Sequence, residues 1–186
     1  MPQPNNKTFS QIKTFFLALI LLTYVTEVKT AEVVQIGKPL RDVTLQGLLV
    51  KSKKMSEYRG KPLIINVWAS WCGPCREEMG SLERLSSRFG GKQFNVIGIS
   101  TDDERSPALQ MIIESKLSFN NYIDNNLTLE KMLGANTIPL TIFVDAKGLV
   151  VKKIRGSQVW DSPQSMKLIS ETFHVKLPQD TNKNNY

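Results

Sequence analysis

The chain has 186 residues, 41% of them hydrophobic and 22% charged, which is the length of one domain plus an appendage and the composition of an ordinary globular protein. Wholesale disorder is excluded. So is a small disulfide scaffold, because the two cysteines, Cys72 and Cys75, stand too close in sequence to staple distant parts of the chain. Net charge is +7; once Lys7, Lys13, Lys29 and Glu27 are set aside, residues 32–186 keep 21 basic and 16 acidic side chains. The lysines are scattered and no aromatic residues interleave them, a pattern of solvated surface that argues against nucleic-acid binding.

Lys7 and Lys13 precede a charge-free stretch at residues 14–26 whose centre is almost continuously apolar, the anatomy of a targeting sequence. Thirteen helical residues rise about 20 Å against a hydrocarbon core of about 30 Å, so a leader or a short tilted anchor is expected before an ordinary spanning helix. The small-x-small cleavage pattern is poor, with Lys29 two places before Ala31 and Val28-Lys29-Thr30 no better, so the sequence does not decide whether the segment is removed. In either case the basic N-terminus stays in the cytoplasm and the chain from about residue 32 onward falls outside it. Residues 1–31 are read as a signal sequence or membrane anchor, 32–176 as the globular domain, and 177–186, polar and short of apolar anchors, as a flexible tail.

Residues 32–62 alternate short apolar pieces with the turn signals Gly37-Lys38-Pro39, Gly47 and Gly60-Lys61-Pro62, which predicts one or two short strands. Residues 63–68 form a β-branched and aromatic run after Pro62 and predict a buried central strand. A helix over 73–89 follows from the spacing of Met79, Leu82, Leu85 and Phe89, with Gly90-Gly91 as its left-handed stop. A second strand is predicted at 94–100. Ser106-Pro107 then reads as the start of another helix whose apolar face is Leu109, Ile112, Ile113 and Leu117. Two strands joined by a helix imply a parallel βαβ unit. Residues 127–133 predict a short helix closed by Gly134, residues 140–144 and 149–154 a hairpin around Asp145-Ala146-Lys147-Gly148, and residues 161–173 a last helix. The fold class expected is α/β, a mixed sheet with helices on both faces.

Cys72 and Cys75 sit where a strand gives way to a helix. A thiol that attacks disulfides must be a thiolate, and a helix N-terminus favours that anion through unpaired N–H groups and the macrodipole. Pro74 is tolerated in a first turn and stiffens it, and Gly73 removes bulk beside the sulfur. Cys75, a turn deeper, can reach the Cys72 sulfur and resolve a mixed disulfide. Cys72 is therefore the expected nucleophile and Cys75 the resolving thiol, with no cofactor beyond the pair itself. A closed zinc site needs four ligands, whereas the chain adds only His174, about a hundred residues away at the end of the last helix.

The run Trp68-Ala69-Ser70-Trp71-Cys72-Gly73-Pro74-Cys75-Arg76-Glu77-Glu78 resembles the active-site segment of thioredoxin-fold proteins, in particular the TlpA/ResA-like family of extracytoplasmic thiol-disulfide oxidoreductases. Ile36-Gly37-Lys38-Pro39-Leu40, Tyr58-Arg59-Gly60-Lys61-Pro62 and the stretch from Thr137 through Ile138, Pro139 and Leu140 to Asp145 extend the likeness over residues 36–173. The resemblance implies a cis Pro139 against Cys72, an Ile138 backbone that pairs with an extended substrate segment, and a Trp71 indole face covering the nucleophile. It also implies a carboxylate near the thiols at Glu78, able to exchange a proton with Cys75 if buried. Cytoplasmic thioredoxins carry a buried aspartate six residues before the first cysteine, where this chain has Asn66; the vacant acid role is expected to fall to Glu78. Met79-Gly80 departs from the family's usual proline and is expected to loosen the middle of the helix.

The Gly73-Pro74 dipeptide is that of reducing thioredoxins, so the expected activity is reduction of protein disulfides outside the cytoplasm. That position requires a membrane protein to resupply electrons. Apocytochrome c is the substrate the family resemblance puts first. An oxidase or isomerase would differ by a higher reduction potential. A Cu(I) delivery protein would use the same two thiolates, with Met79 near them in sequence. A peroxidase lacks a separate peroxidatic cysteine.

Overall fold

The computed structural model describes residues 33–178. The targeting segment and the tail from residue 179 onward lie outside the described residues, and no helix among those described is long and apolar enough to cross a membrane. The elements run β1 (Thr44–Gly47), β2 (Lys53–Lys54), a 3-10 turn (Met55–Tyr58), β3 (Leu63–Trp68), α1 (Gly73–Phe89), β4 (Asn95–Ser100), α2 (Arg105–Glu114), β5 (Asn120–Ile123), α3 (Thr128–Leu133), β6 (Leu140–Val144), β7 (Val150–Arg155) and α4 (Pro163–Phe173).

All seven strands join one sheet in the order β2-β1-β5-β4-β3-β6-β7. β3, β4 and β5 are parallel, while β6 and β7 on one side and β1 and β2 on the other are antiparallel. The crossovers from β3 to β4 and from β4 to β5 step the same way across the sheet. Right-handedness then puts α1 and α2 on one face. Every residue of β3 is buried, and strand alternation divides them. Ile64 and Trp68 pack with Met79, Leu82, Met111 and Ile169, whereas Leu63, Ile65 and Val67 pack with Leu129, Met132, Tyr122 and the 3-10 turn. A fully buried side chain of this size contributes about 1.5–3 kcal/mol, so β3 is held firmly from both faces.

One close approach fixes the middle of the sheet. The Trp68 indole N–H donates to Asn121 Oδ1 at 3.1 Å, and Asn121 Nδ2 donates to the Phe119 carbonyl at 2.9 Å. Gly98 makes room for both: a Cβ there would lie 2.0 Å from Asn121 Oδ1 and 2.7 Å from Trp68 Nε1.

Several local expectations are corrected. β5 has no counterpart in the sequence reading, because its Asn120-Asn121 start has low strand propensity and its four residues show no alternation. α2 begins at Arg105 with Glu104 in the capping position, so Ser106-Pro107 lies inside its first turn. Ile113 is 65% exposed, and Ala108 and Met111 share the buried face with Ile112 instead. Gly90 has φ −59°, and the left-handed residue is Gly91 at +72°. α1 runs unbroken through Met79-Gly80, with Gly80 on its exposed side. Leu177, assigned to the tail, is buried against the α1 and α4 side of the core, which carries the packed domain past residue 176.

Candidate active site at the start of the first long helix

β3 delivers the chain to a tight turn. The Cys72 N–H donates to the Ala69 carbonyl at 3.1 Å and the Thr101 N–H to the Trp68 carbonyl at 2.9 Å. The buried Asp102 carboxylate, at the exit of β4, accepts from the Ser70 N–H at 3.0 Å, the Ser70 hydroxyl at 2.6 Å and the Ser100 hydroxyl at 2.6 Å. Through these bonds Asp102 pins the turn on which Cys72 is presented. Nothing in its local sequence signals this, because the partner lies 32 residues upstream.

Cys72 is the N-cap of α1, and its sulfur accepts the Cys75 N–H at 3.3 Å. The two cysteines form a disulfide across a Cα–Cα distance of 5.3 Å. Cys72 keeps 6% of its surface and Cys75 none, so only the first sulfur can be reached from outside. Gly73 and Pro74 form the exposed first turn. A Cβ on Gly73 would meet nothing within 4 Å, so its smallness avoids no clash and leaves the space in front of the sulfur open.

The Ile138–Pro139 peptide is cis. The Ile138 carbonyl oxygen lies 3.9 Å from Cys72 Sγ, and Ile138 precedes the first ladder residue of β6, Leu140, so the sheet does not take up its peptide. Trp71, next to Cys72 in the chain, is 72% exposed and projects from the turn. Between Trp71 and Ile138 opens a groove of about 270 Å³, further lined by Thr101, Asp103, Leu127 and Glu130.

Glu78 sits one turn beyond Cys75 and is 1% exposed. Its Oε1 accepts from Asn66 Nδ2 at 2.6 Å, and its Oε2 accepts from the Gln158 N–H at 3.0 Å and the Trp160 indole N–H at 3.1 Å. Ser81, a turn further along α1, accepts the Trp160 N–H at 2.9 Å and donates to the Gln158 carbonyl at 3.3 Å. The Gly156 N–H donates to the Pro139 carbonyl at 3.0 Å. The loop after β7 thus ties the cis-proline to the buried carboxyl. Gln158 and Trp160 carry no signal of this role in the sequence; only the topology brings that loop to α1. Met79 is fully buried in the same core as the two cysteines, and His174 is an exposed residue at the end of α4.

Burial pushes the Glu78 carboxyl above its ordinary value of 4.5, against the opposing bonds from Asn66, Gln158 and Trp160. A carboxyl whose affinity for its proton is greater in the folded state ionises first in the unfolded chain. Stability is then lost as pH rises from about 4.5 through the raised value. Glu78→Gln removes that slope. Asp124, which burial shifts the same way, is common to both proteins and cancels. Urea unfolding across a pH series is expected to show the variant gaining on the wild type as pH rises; a constant difference would refute this.

A reachable sulfur at a helix N-terminus, a shielded partner one turn in and a cis-proline facing them define a dithiol enzyme that performs thiol–disulfide exchange on a thioredoxin-like fold. The chain belongs to the AhpC/TSA family, which it matches over residues 36–153. It is 26% identical over 127 residues to the thiol-disulfide oxidoreductase ResA of Bacillus thuringiensis subsp. konkukian, covering 68% of this chain and 73% of that protein. It is 35% identical over 125 residues to the thiol:disulfide interchange protein DsbE of Pseudomonas fluorescens biotype C, covering 65% and 67%. Among solved structures, the fold is similar to the thioredoxin domain of a thiol-disulfide oxidoreductase from Bacteroides vulgatus, with a TM-score of 0.62 at 23% identity over 72% of this chain and 98% of that one.

Proposed function

We propose that the protein reduces protein disulfides outside the cytoplasm, with the Cys72–Cys75 pair as its only electron carrier. The observation that carries this reading is the unequal setting of the two sulfurs. Cys72 is capped by the dipoles of α1, whereas Cys75 is fully buried one turn from a carboxyl that is itself buried. A pair becomes strongly oxidising when its reduced form is specially stabilised. The Gly73-Pro74 dipeptide between the two sulfurs is that of reducing thioredoxins and supports the reductive direction.

In the reductive direction, the Cys72 thiolate attacks a substrate disulfide, forming a mixed disulfide and releasing one substrate sulfur as thiolate. Cys75, giving its proton to Glu78, attacks the Cys72 sulfur, closes the internal disulfide and releases the second. Two electrons pass to the substrate. An oxidising compartment cannot recharge the pair with cytosolic thiols, so a membrane electron donor is required. The apolar segment at 14–26 fits export or tethering. Apocytochrome c, whose haem-attachment thiols must be free, is the substrate the family resemblance favours. Equilibration of the purified protein with dithiothreitol and glutathione buffers is expected to give a potential near the thioredoxin value of about −270 mV. A value near the roughly −120 mV of a strong oxidant would turn the reading into an oxidase.

A further inference from the structure

The partners of Glu78 are all donors: the Asn66 amide, the Gln158 N–H and the Trp160 indole. That set suits an ionised carboxylate. A protonated Glu78 carries an O–H that must itself find an acceptor, and a buried O–H without one is costly. On the other side of the same contact, Asn66 Oδ1 is buried and has no hydrogen-bond partner among the described residues. A half-turn of the Asn66 amide exchanges Oδ1 and Nδ2 with almost no change of shape. Oδ1 would then take the place of the nitrogen that now lies 2.6 Å from Glu78 Oε1 and 2.9 Å from Thr141 Oγ1. The Thr141 hydroxyl can accept from the nitrogen or donate to the oxygen, so it serves either orientation.

We infer that Asn66 is a positioning residue whose amide turns over with the proton on Glu78, presenting Nδ2 to the ionised carboxylate and Oδ1 to the protonated acid. The inference rests on the proposed acid and base role of Glu78 and adds the residue that lets a buried carboxyl hold either state with its hydrogen bonds made. When Cys75 attacks the mixed disulfide, its proton stays on Glu78 Oε1, and the O–H so formed donates a hydrogen bond to Asn66 Oδ1. Reduction of the internal disulfide reverses both movements. None of the residues bonded to Glu78 from β3 or the loop after β7 titrates, nor does Thr141 of β6, and Glu78 makes no ion pair among the described residues. Cys75, one turn back on α1, is the titratable neighbour on its own element.

The test follows the Asn66 side-chain amide and the Glu78 carboxyl carbon by NMR in the disulfide form of the full chain, across a pH series. The Asn66 amide protons are expected to move between two positions with the same midpoint as the Glu78 carbon. In Glu78→Gln, the new amide must turn its oxygen toward Gln158 and Trp160 and its nitrogen toward Asn66. The Asn66 signals should then stay at the acid-form position at every pH. A merely structural asparagine, fixed with Nδ2 toward residue 78, would instead hold the ionised-form position in Glu78→Gln. A Glu78 carbon that titrates while the Asn66 signals stand still would overturn the inference and leave the Glu78 role intact. A Glu78 carbon that never titrates would overturn both.

Discussion

Replacing Cys72 with serine is expected to bring disulfide reduction down to background, a loss on the order of 10³-fold or more, whereas Cys75→Ser should retain the first attack and stop there. The difference follows from exposure and charge. Cys72 keeps 6% of its surface and Cys75 none, and only the Cys72 sulfur occupies the cap of α1, where it already accepts the Cys75 N–H. A serine hydroxyl at this cap would still accept that bond, so the fold survives while the nucleophile is lost. In reduced wild-type protein, alkylation across a pH series should show Cys72 reacting as a thiolate below the free-thiol value of about 8.5. The Cys75→Ser protein should accumulate a one-to-one mixed disulfide with its substrate, released by added dithiothreitol. Steady turnover by Cys75→Ser, or trapping by Cys72→Ser instead, would reverse the roles of the two sulfurs.

Gly98→Ala is expected to be strongly destabilising, because the methyl group enters the packed middle of the sheet. The added Cβ would fall 2.0 Å from Asn121 Oδ1 and 2.7 Å from Trp68 Nε1, both in side chains with almost no exposed surface. Neither can step aside freely. The Asn121 amide is held by the Trp68 indole on one side and the Phe119 carbonyl on the other. Overpacking costs about 1–3 kcal/mol, and stranding a buried indole N–H costs about 1–3 kcal/mol more. The combined loss of about 2–6 kcal/mol should appear as a lower urea midpoint with an unchanged slope. Trp68 is the last residue of β3, so the damage should also slow disulfide exchange in the protein that remains folded. A Gly98→Ala protein as stable as wild type would show that this contact is not rigid.

What the chain discloses before folding depends on how local the signal is. β3, α1, α3 and the hairpin of β6 and β7 are legible because apolar spacing and glycine or proline punctuation sit within a few residues of each other. The disulfide pair and Pro139 are legible for the same reason, the first through spacing and position and the second through a short resemblance. β5 is not, because Asn120 and Asn121 look like loop residues until Asn121 is seen bonding to Trp68 of β3. Asp102, Thr141, Gln158 and Trp160 are likewise silent in sequence, since each acquires its role from a partner brought near by strand order or by the loop after β7. Glu78 is intermediate: spacing sets it one turn from Cys75, but only the packed structure shows it buried among donors.

The recessed setting of the Cys72 sulfur has a bearing on which proteins can serve as customers. A partner must push its own sulfur past the projecting Trp71 and into line with a group that leaves only 6% of its surface open. Compact, well-ordered proteins hold their crosslinks inside and cannot make that approach. Chains that are still slack, or that carry the bond on a protruding loop, can. The recess therefore sorts sulfurs by how freely the chain around them can move, before any exchange begins.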